Sequence, residues 1–391
     1  MTTAVESQHP PRVIHMVESL DAGAVENWLL RMLRAGQTLG VPLDWTFYSV
    51  LSRPGRHDDA ARKLGATVIN SPVPLDDKLA FVRSLRQTLR AGKYDVMHCH
   101  HDVVSAVYLG AAAGLGIPRK IVHVHNADLH VPTRSVRKSA LLREPLRQLC
   151  LRLAHRIVGI SHHTLATFLD DRPRVPARDT VLYYGIDTQP FHAPQPDPGA
   201  IRRSLGLPSG AKLLLFVGRM VSYKNPVFLV DVLASIANAE PNVYALFVGT
   251  GPLEEELGNR ARSLGVADRI RVLGWRDDTV SLMRASDLFV FPRVEDASEN
   301  GGIEGLGLVV VEAQAAGLPS LLSRGIPEDA IVLPELCETL SLGAGAKAWG
   351  VAVRRILSQP RPNDELSLEA IENSAFSLEA GFRGLTALHR L

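Results

Sequence analysis

Short apolar runs alternate with longer stretches of helical spacing along almost the entire chain, and no other feature limits the fold so strongly. In the first half VIHMVE, DWTFYSV, YDVMHCH, KIVHVH and RIVGIS read as strands, with AVENWLLRMLRAGQTLG among the intervening helices. Strands that return to their sheet through a helix are parallel, so the alternation predicts an α/β fold. The segment TQPFHAPQPDPGA, residues 188–200, then concentrates prolines that neither a helix interior nor a central strand accepts, and it reads as a domain linker. Behind it the alternation restarts with KLLLFVG, VYALFVG, RIRVLG, DLFVFP and SLLS. The expectation is an α/β protein of two Rossmann-like domains, each a doubly wound parallel sheet, facing each other across a cleft. Their expected bounds are 1–188 and 189–370, followed by a helix over 371–391 that crosses back to the first domain.

A chain of 391 residues, 46% of them hydrophobic, holds enough apolar material for two such cores. Lys plus Arg number 43 against 41 for Asp plus Glu, and a net charge of +2 does not mark a nucleic-acid binder. Cys99, Cys150 and Cys337 stand too far apart for a CxxC metal knuckle and do not form a disulfide framework, which points to a reducing, cytoplasmic setting. The opening MTTAVESQHPPR lacks a basic region followed by an apolar stretch, and no segment approaches the roughly 18 uncharged apolar residues of a membrane span. The protein is expected to be soluble, or at most peripheral at the inner membrane face.

The chemistry concentrates in the second half. After KLLLFVG ends at Gly218, RMVSYKNP supplies Arg219 and Lys224 ahead of Pro226, a residue suited to the first turn of a helix. Ligands of open α/β sheets bind at the carboxyl ends of strands, where a guanidinium and an ammonium on one short loop can converge on a diphosphate. Further on, DLFVFP reads as a strand, Glu304-Gly305-Leu306-Gly307 as a turn, and LVVVEAQAAG as a helix closed by Gly317. Backbone amides of Gly305, Leu306 and Gly307 at that helix start can cradle phosphate or sugar oxygens. Carboxylates repel phosphate, so Glu304 and Glu312 need another target, and vicinal hydroxyls suit them as donors to a carboxylate. One glutamate then reads a sugar and the other a nucleoside.

These residues resemble retaining glycosyltransferases of family 4, which have the two-domain GT-B fold. The resemblance runs from the first strand and its Gly23 loop through HVHN, IVGIS, VLYYGID, FVGRMVSYKNP, FVGTGP and ASDLFVFP to the two glutamates, which are separated by seven residues. It implies that Arg219 and Lys224 hold the donor diphosphate, that Glu312 binds the ribose diol, and that Glu304 contacts the transferred sugar. Gly23, in DAGAVEN, resembles the glycine that approaches the phosphates, with Ala24 where the family has a second glycine. His125 resembles the histidine near the reacting sugar. The loop after RIRVLG, with Trp275 and Arg276, is implied to face the nucleobase, although Trp275 could equally anchor the core. No metal or other cofactor is implied; the co-substrate is a nucleotide diphosphate sugar, with UDP favoured. His98 and His100 share a face by strand alternation, but the family needs no zinc. RVEDASENGGI, residues 293–303, stands where the family has few residues and reads as an insertion; Glu295 and Glu299 within it compete with Glu304 for the sugar, yet Glu304 alone keeps the spacing to Glu312. The segment after LPSLLSRGIPEDA resembles the capsular and exopolysaccharide branch.

The reaction so implied is transfer of a glycosyl group, with retention, to a carbohydrate, lipid-linked or small-molecule hydroxyl acceptor. A sugar-nucleotide epimerase and a noncatalytic sugar-binding partner are the alternatives. A nicotinamide oxidoreductase is disfavoured, because neither domain's first strand leads into GxGxxG. Residues 134–156, RSVRKSALLREPLRQLCLRLAHR, read as a basic amphipathic helix that could rest on anionic headgroups or be simply a solvated face.

Overall fold

The computed structural model describes residues 9–390, apart from 22, 128, 130, 132–135, 171, 209, 296–303 and 362–363. The chain divides into two compact units: Met1–Gly185 with Leu378–Leu391, and Ile186–Ser377.

The first unit is built on a parallel sheet of β1 (Arg12–Val17), β2 (Asp44–Ser49), β3 (Thr67–Asn70), β4 (Val96–Cys99), β5 (Arg119–Val124), β6 (Arg156–Gly159) and β7 (Asp179–Val181), in the order β3-β2-β1-β4-β5-β6-β7. The chain winds outward from β1 to β3, then returns to β4 on the other side of β1. That reversal puts a switch point between the carboxyl ends of β1 and β4, where loops diverge and leave a crevice. The central strands are buried on both faces, as sheets covered on two sides require, and one face is apolar: Ile14, Met16, Met97, Val122 and Val124 have no exposed surface. The face of β1, β4 and β5 that carries His15, His98 and His123 is the exception, since these side chains are fully buried too.

The second unit repeats the plan with β8 (Lys212–Val217), β9 (Val243–Val248), β10 (Ile270–Gly274), β11 (Leu288–Phe291), β12 (Ser320–Ser323) and β13 (Cys337–Leu340), in the parallel order β10-β9-β8-β11-β12-β13. Its switch point lies between β8 and β11. Leu213, Leu214, Leu215 and Phe216 are all fully buried, so both faces of β8 are covered.

Three strands lie beyond those expected: β3, β7 and β13. Each has four residues or fewer, and in none is a continuous apolar run visible. The proline-rich stretch contains a short helix, Gln189–His192, and Pro198 opens a second, Pro198–Ser204, whose N-cap Asp197 accepts from the Ala200 amide. The basic stretch is a helix, Val136–Leu153, with Pro145 inside it. Arg147 is buried in the protein, bonded to Glu144 and Asp170, so the basic face is narrower than its composition implies. Among the described residues no helix is long and apolar enough to cross a membrane.

Candidate active site

Two loops meet at the switch point of the second unit. The first leaves β8 at Gly218. Met220 is fully buried and pins the loop, its amide donating to Thr250 O at 2.9 Å and its carbonyl accepting from Leu253 N at 3.1 Å. With Met220 turned inward, its neighbour Arg219 is exposed. The chain then makes a single tight turn, Ser222–Lys224, and Asn225 takes a left-handed φ of 53° before Pro226 starts the helix Pro226–Ile236. Asparagine tolerates that conformation better than most residues. The turn brings Lys224 back over the sheet edge, with Nζ 5.2 Å from the Phe291 ring centroid and 3.2 Å from Glu304 Oε2.

The loop is braced from behind by GTGP. Gly218 N donates to Val248 O at 2.9 Å, and a Cβ on Gly249 would lie 2.2 Å from Gly218 O. A Cβ on Gly251 would lie 2.4 Å from Met220 O. These glycines therefore allow one loop to lie against the other, which is a packing role and not a phosphate cradle.

The second loop follows β11. Arg293 is 2% exposed, and its Nη1 donates to two carbonyls, Val294 O at 2.6 Å and Gly325 O at 2.8 Å. Burial lowers its proton affinity, and the nearby Glu304 charge opposes that shift, which places a cation behind the carboxylate. Sequence reasoning missed Arg293; its position just past the FP that ends β11 was the available signal. Glu295 accepts from Ser341 Oγ at 2.9 Å and Leu342 N at 2.8 Å, so its carboxylate is committed to that turn. Residues 296–303, Glu299 among them, lie outside the described residues.

Leu306 is buried, and Gly307 caps the helix Leu308–Ala315 at φ +86°. The nearest atoms to a Cβ there are 3.7 Å away, so the backbone conformation, not crowding, calls for glycine. Glu312 lies half-buried on this helix. Gln314 fixes the helix in place: its Nε2 donates to Val310 O (2.9 Å) and Ala330 O (2.7 Å), while its Oε1 accepts from Val332 N (2.9 Å) and Leu333 N (2.7 Å). Trp275 is 75% exposed with Nε1 donating to Asp277, so it does not anchor the core. Arg276 makes a fork with Asp278, at 2.7 and 2.6 Å.

The first unit carries its own polar cluster. His125 follows β5, and its amide donates at 2.7 Å to Asp102, a residue held at φ 42° whose other oxygen accepts from Asn126 Nδ2 at 2.9 Å. Both ring nitrogens of His125 are engaged, Nδ1 with the Tyr184 hydroxyl and Nε2 with His100 Nδ1 at 3.0 Å. Burial pushes its pKa down to about 3, so the imidazole is neutral. Asp102 and Tyr184 were not singled out from sequence. His15, His98 and His100, and likewise His100, His123 and His125, bring nitrogens within 4.8 Å of one another; His15–His100 and His100–His125 are hydrogen-bonded within the groups, and His98–His123 between them. Gly23 is the N-cap of the helix Ala24–Thr38 in an extended conformation. Glu26 folds back over it, with Oε2 only 2.0 Å from where a Cβ would stand, and burial raises the Glu26 pKa to about 7. The surface beside Gly23 is thus shared with a carboxylate.

Two family profiles cover most of the chain: Glycosyltransferase Family 4 matches residues 11–190 and Glycosyl transferases group 1 matches residues 198–373. EpsF of Bacillus subtilis is 24% identical over 382 residues, covering 97% of this chain and 96% of its own. The Escherichia coli UDP-Gal:alpha-D-GlcNAc-diphosphoundecaprenol alpha-1,3-galactosyltransferase is 26% identical over 271 residues, 68% of this chain and 67% of its own. HepE of Anabaena, solved in complex with UDP, superposes with a TM-score of 0.75 at 18% identity, over 96% of this chain and 98% of that one. With one profile on each sheet, and the fold shared with solved glycosyltransferases of the GT-B type, the chain is a glycosyltransferase of the group 1 and family 4 type.

Proposed function

We propose that the protein transfers a glycosyl group from a UDP sugar to a hydroxyl of a carbohydrate or lipid-linked saccharide, with retention of anomeric configuration and without a metal. The observation that carries this reading is the Lys224–Glu304 pair at the switch point of the second unit, with Arg219 exposed on the same loop as Lys224. In this reading Arg219 and Lys224 take the diphosphate, and the amides of Gly305, Leu306 and Gly307 face its oxygens. Glu304 takes hydroxyls of the transferred sugar, Glu312 takes the ribose diol, and the exposed Trp275 with Arg276 borders the base. Gly23 and His125 belong to the first unit's share of the substrates; His125 serves as a neutral, fixed ring.

Bond making follows from the charges. As the anomeric carbon–oxygen bond breaks, its electron pair passes to the diphosphate, where Arg219 and Lys224 neutralise it. The departing phosphate oxygen then takes the acceptor proton while the acceptor oxygen bonds to the same face of the sugar. The similarity to a transferase named for a diphosphoundecaprenol-linked sugar supports a lipid-linked acceptor, and we place the enzyme in exopolysaccharide or capsule assembly. The exposed residues Arg137, Leu141 and Arg143 of the helix Val136–Leu153 would give such an enzyme a footing on anionic lipid.

The test is a thermal-shift panel of UDP, GDP and dTDP sugars followed by product analysis. A bound donor raises the melting temperature by an amount that grows with the logarithm of its affinity. A UDP sugar should give the largest shift, and acceptor-dependent release of UDP with an α-linked product from an α-linked donor should follow. Stabilisation by none of the panel, or an epimerised sugar nucleotide formed without acceptor, would overturn the reading.

A further inference from the structure

Six buried histidines and one tyrosine of the first unit form two hydrogen-bonded rows. In one, His15 Nδ1 lies 3.0 Å from His100 Nε2, His100 Nδ1 lies 3.0 Å from His125 Nε2, and His125 Nδ1 bonds the Tyr184 hydroxyl. In the other, His389 Nε2 lies 3.0 Å from His98 Nδ1, and His98 Nε2 lies 3.2 Å from His123 Nδ1. Successive rings of the first row are inclined by only 20° and 29° at centroid separations of 5.3 and 5.2 Å, so its N···N contacts lie close to the ring planes. The two rows stack on each other, His98 against His100 and His123 against His125, both at 4.3 Å.

Burial lowers the proton affinity of all the imidazoles in the first row, and each is neutral, with one N–H and one lone pair. Three imidazoles and a phenol therefore bring one more proton than the row has links. The surplus must leave at an end. At the His15 end, Nε2 is buried and has no hydrogen-bond partner among the described residues; the Trp45 ring stands 4.5 Å away by centroids and Phe47 5.4 Å. A buried N–H without an acceptor costs more than an idle lone pair, and an aromatic face compensates it weakly. At the other end Tyr184 lies just beyond β7, on the edge of the sheet where ligands of such folds bind. Its ring is stacked on Trp28 at 4.8 Å.

We propose that His15, His100 and His125 are all Nδ1–H tautomers, that the Tyr184 hydroxyl accepts from His125 and is left free to donate, and that it donates to a hydroxyl oxygen of a bound saccharide. Tyr184 is then a binding residue, and the three histidines are positioning residues that fix the direction of its proton. The saccharide as ligand rests on the glycosyltransferase reading above; the order of the tautomers does not.

Long-range 1H–15N correlation spectra of the 15N-labelled full chain at pH 7.5 report which nitrogen of each histidine holds the proton. Assignment uses His15→Gln, His100→Gln and His125→Gln. The expected pattern is a proton on Nδ1 and a lone-pair shift on Nε2 in all three rings; Nε2–H tautomers would overturn the proposal. Saturation-transfer spectra with N-acetylglucosamine and with methyl α-glucoside then test the ligand. Tyr184→Phe, which keeps the stack on Trp28 but leaves the buried His125 Nδ1–H without its acceptor, should stay folded at 25 °C with a lowered melting temperature and weaken the transfer signal at least fivefold, whereas His15→Gln, at the far end of the row, should lower the melting temperature and keep the signal. Equal signals from wild type and variant, or none from the wild type with either sugar, would overturn the ligand role. Failure of the donor reading appears separately, as the absence of any shift with the sugar-nucleotide panel.

Discussion

Lys224 and Glu304 are the clearest case of one residue setting the state of another. Their side chains are 14% and 15% exposed, and the 3.2 Å ion pair holds the carboxylate in place while the donor is away. Arg293 stands behind Glu304 as a second, buried cation. On the proposed reading, an entering diphosphate gives Lys224 a stronger partner and releases Glu304 to accept from sugar hydroxyls. The two residues should therefore fail differently. Lys224→Ala removes a charged contact to the leaving group, worth on the order of 2 to 4 kcal/mol in a closed site, or roughly thirty-fold to a thousand-fold in kcat. It should also weaken UDP binding. Glu304→Gln keeps the shape, frees Lys224 from its competitor, and should leave UDP binding unchanged or tighter while turnover falls. Calorimetry with UDP beside steady-state kinetics separates these; equal loss of UDP affinity in both variants would contradict the division of roles.

At the scale of elements, the site depends on one loop lying directly on another. The Gly218–Met220 backbone rests on GTGP so closely that a Cβ at Gly251 would stand 2.4 Å from a main-chain oxygen that cannot swing aside. Gly251→Ala should therefore push the Met220 loop outward, at a cost of about 1 to 3 kcal/mol in stability. Because Arg219 precedes Met220, UDP affinity should fall with the melting temperature. Thermal melts and calorimetry on the one variant check both; a stable variant with normal UDP affinity would show that the loops can part. This brace also marks the limit of what the sequence discloses. KLLLFVG and VYALFVG announce buried parallel strands because both their faces are covered, whereas TVIN, DTV and CETL are too short for a periodicity and are strands because a neighbour offers its edge. Arg219 was legible as following a strand terminus and Glu304 as part of a turn ahead of a helix. Their closeness was not, since it follows from β11 pairing with β8 across intervening strands of sequence. Arg147 was misread for a similar reason: Asp170, which draws it inward, is remote along the chain.

The whole molecule distributes its histidines unequally, and this has a measurable consequence for stability. The second unit contains His192 alone, which is exposed, whereas the two rows bury six histidines in the first. Burial lowers the pKa of every one of the six from the ordinary 6.5, to about 3 for His125 and His389. Between these limits the unfolded chain binds protons that the native rows refuse, so stability is full above pH 6.5 and falls as the pH drops below it. Each histidine contributes about 1.4 kcal/mol per pH unit. Glu26, raised to about 7, acts in the opposite sense and offsets one of them above its unfolded value. His101, lowered by burial to about 4, adds a seventh imidazole of the same sense, and the remaining slope of about 8 kcal/mol per pH unit would exhaust a typical domain stability of about 5 to 15 kcal/mol within about two units. The first unit should thus unfold near pH 5 while the second persists. Peptide-level hydrogen exchange at pH 7.5 and 5.5, corrected for intrinsic rates, should show protection lost from β1, β4 and β5 and kept in β8 and β11. Equal protection in both units at pH 5.5 would mean that the rows admit protons in the folded state, and neutral, directionally ordered imidazoles would then no longer describe them.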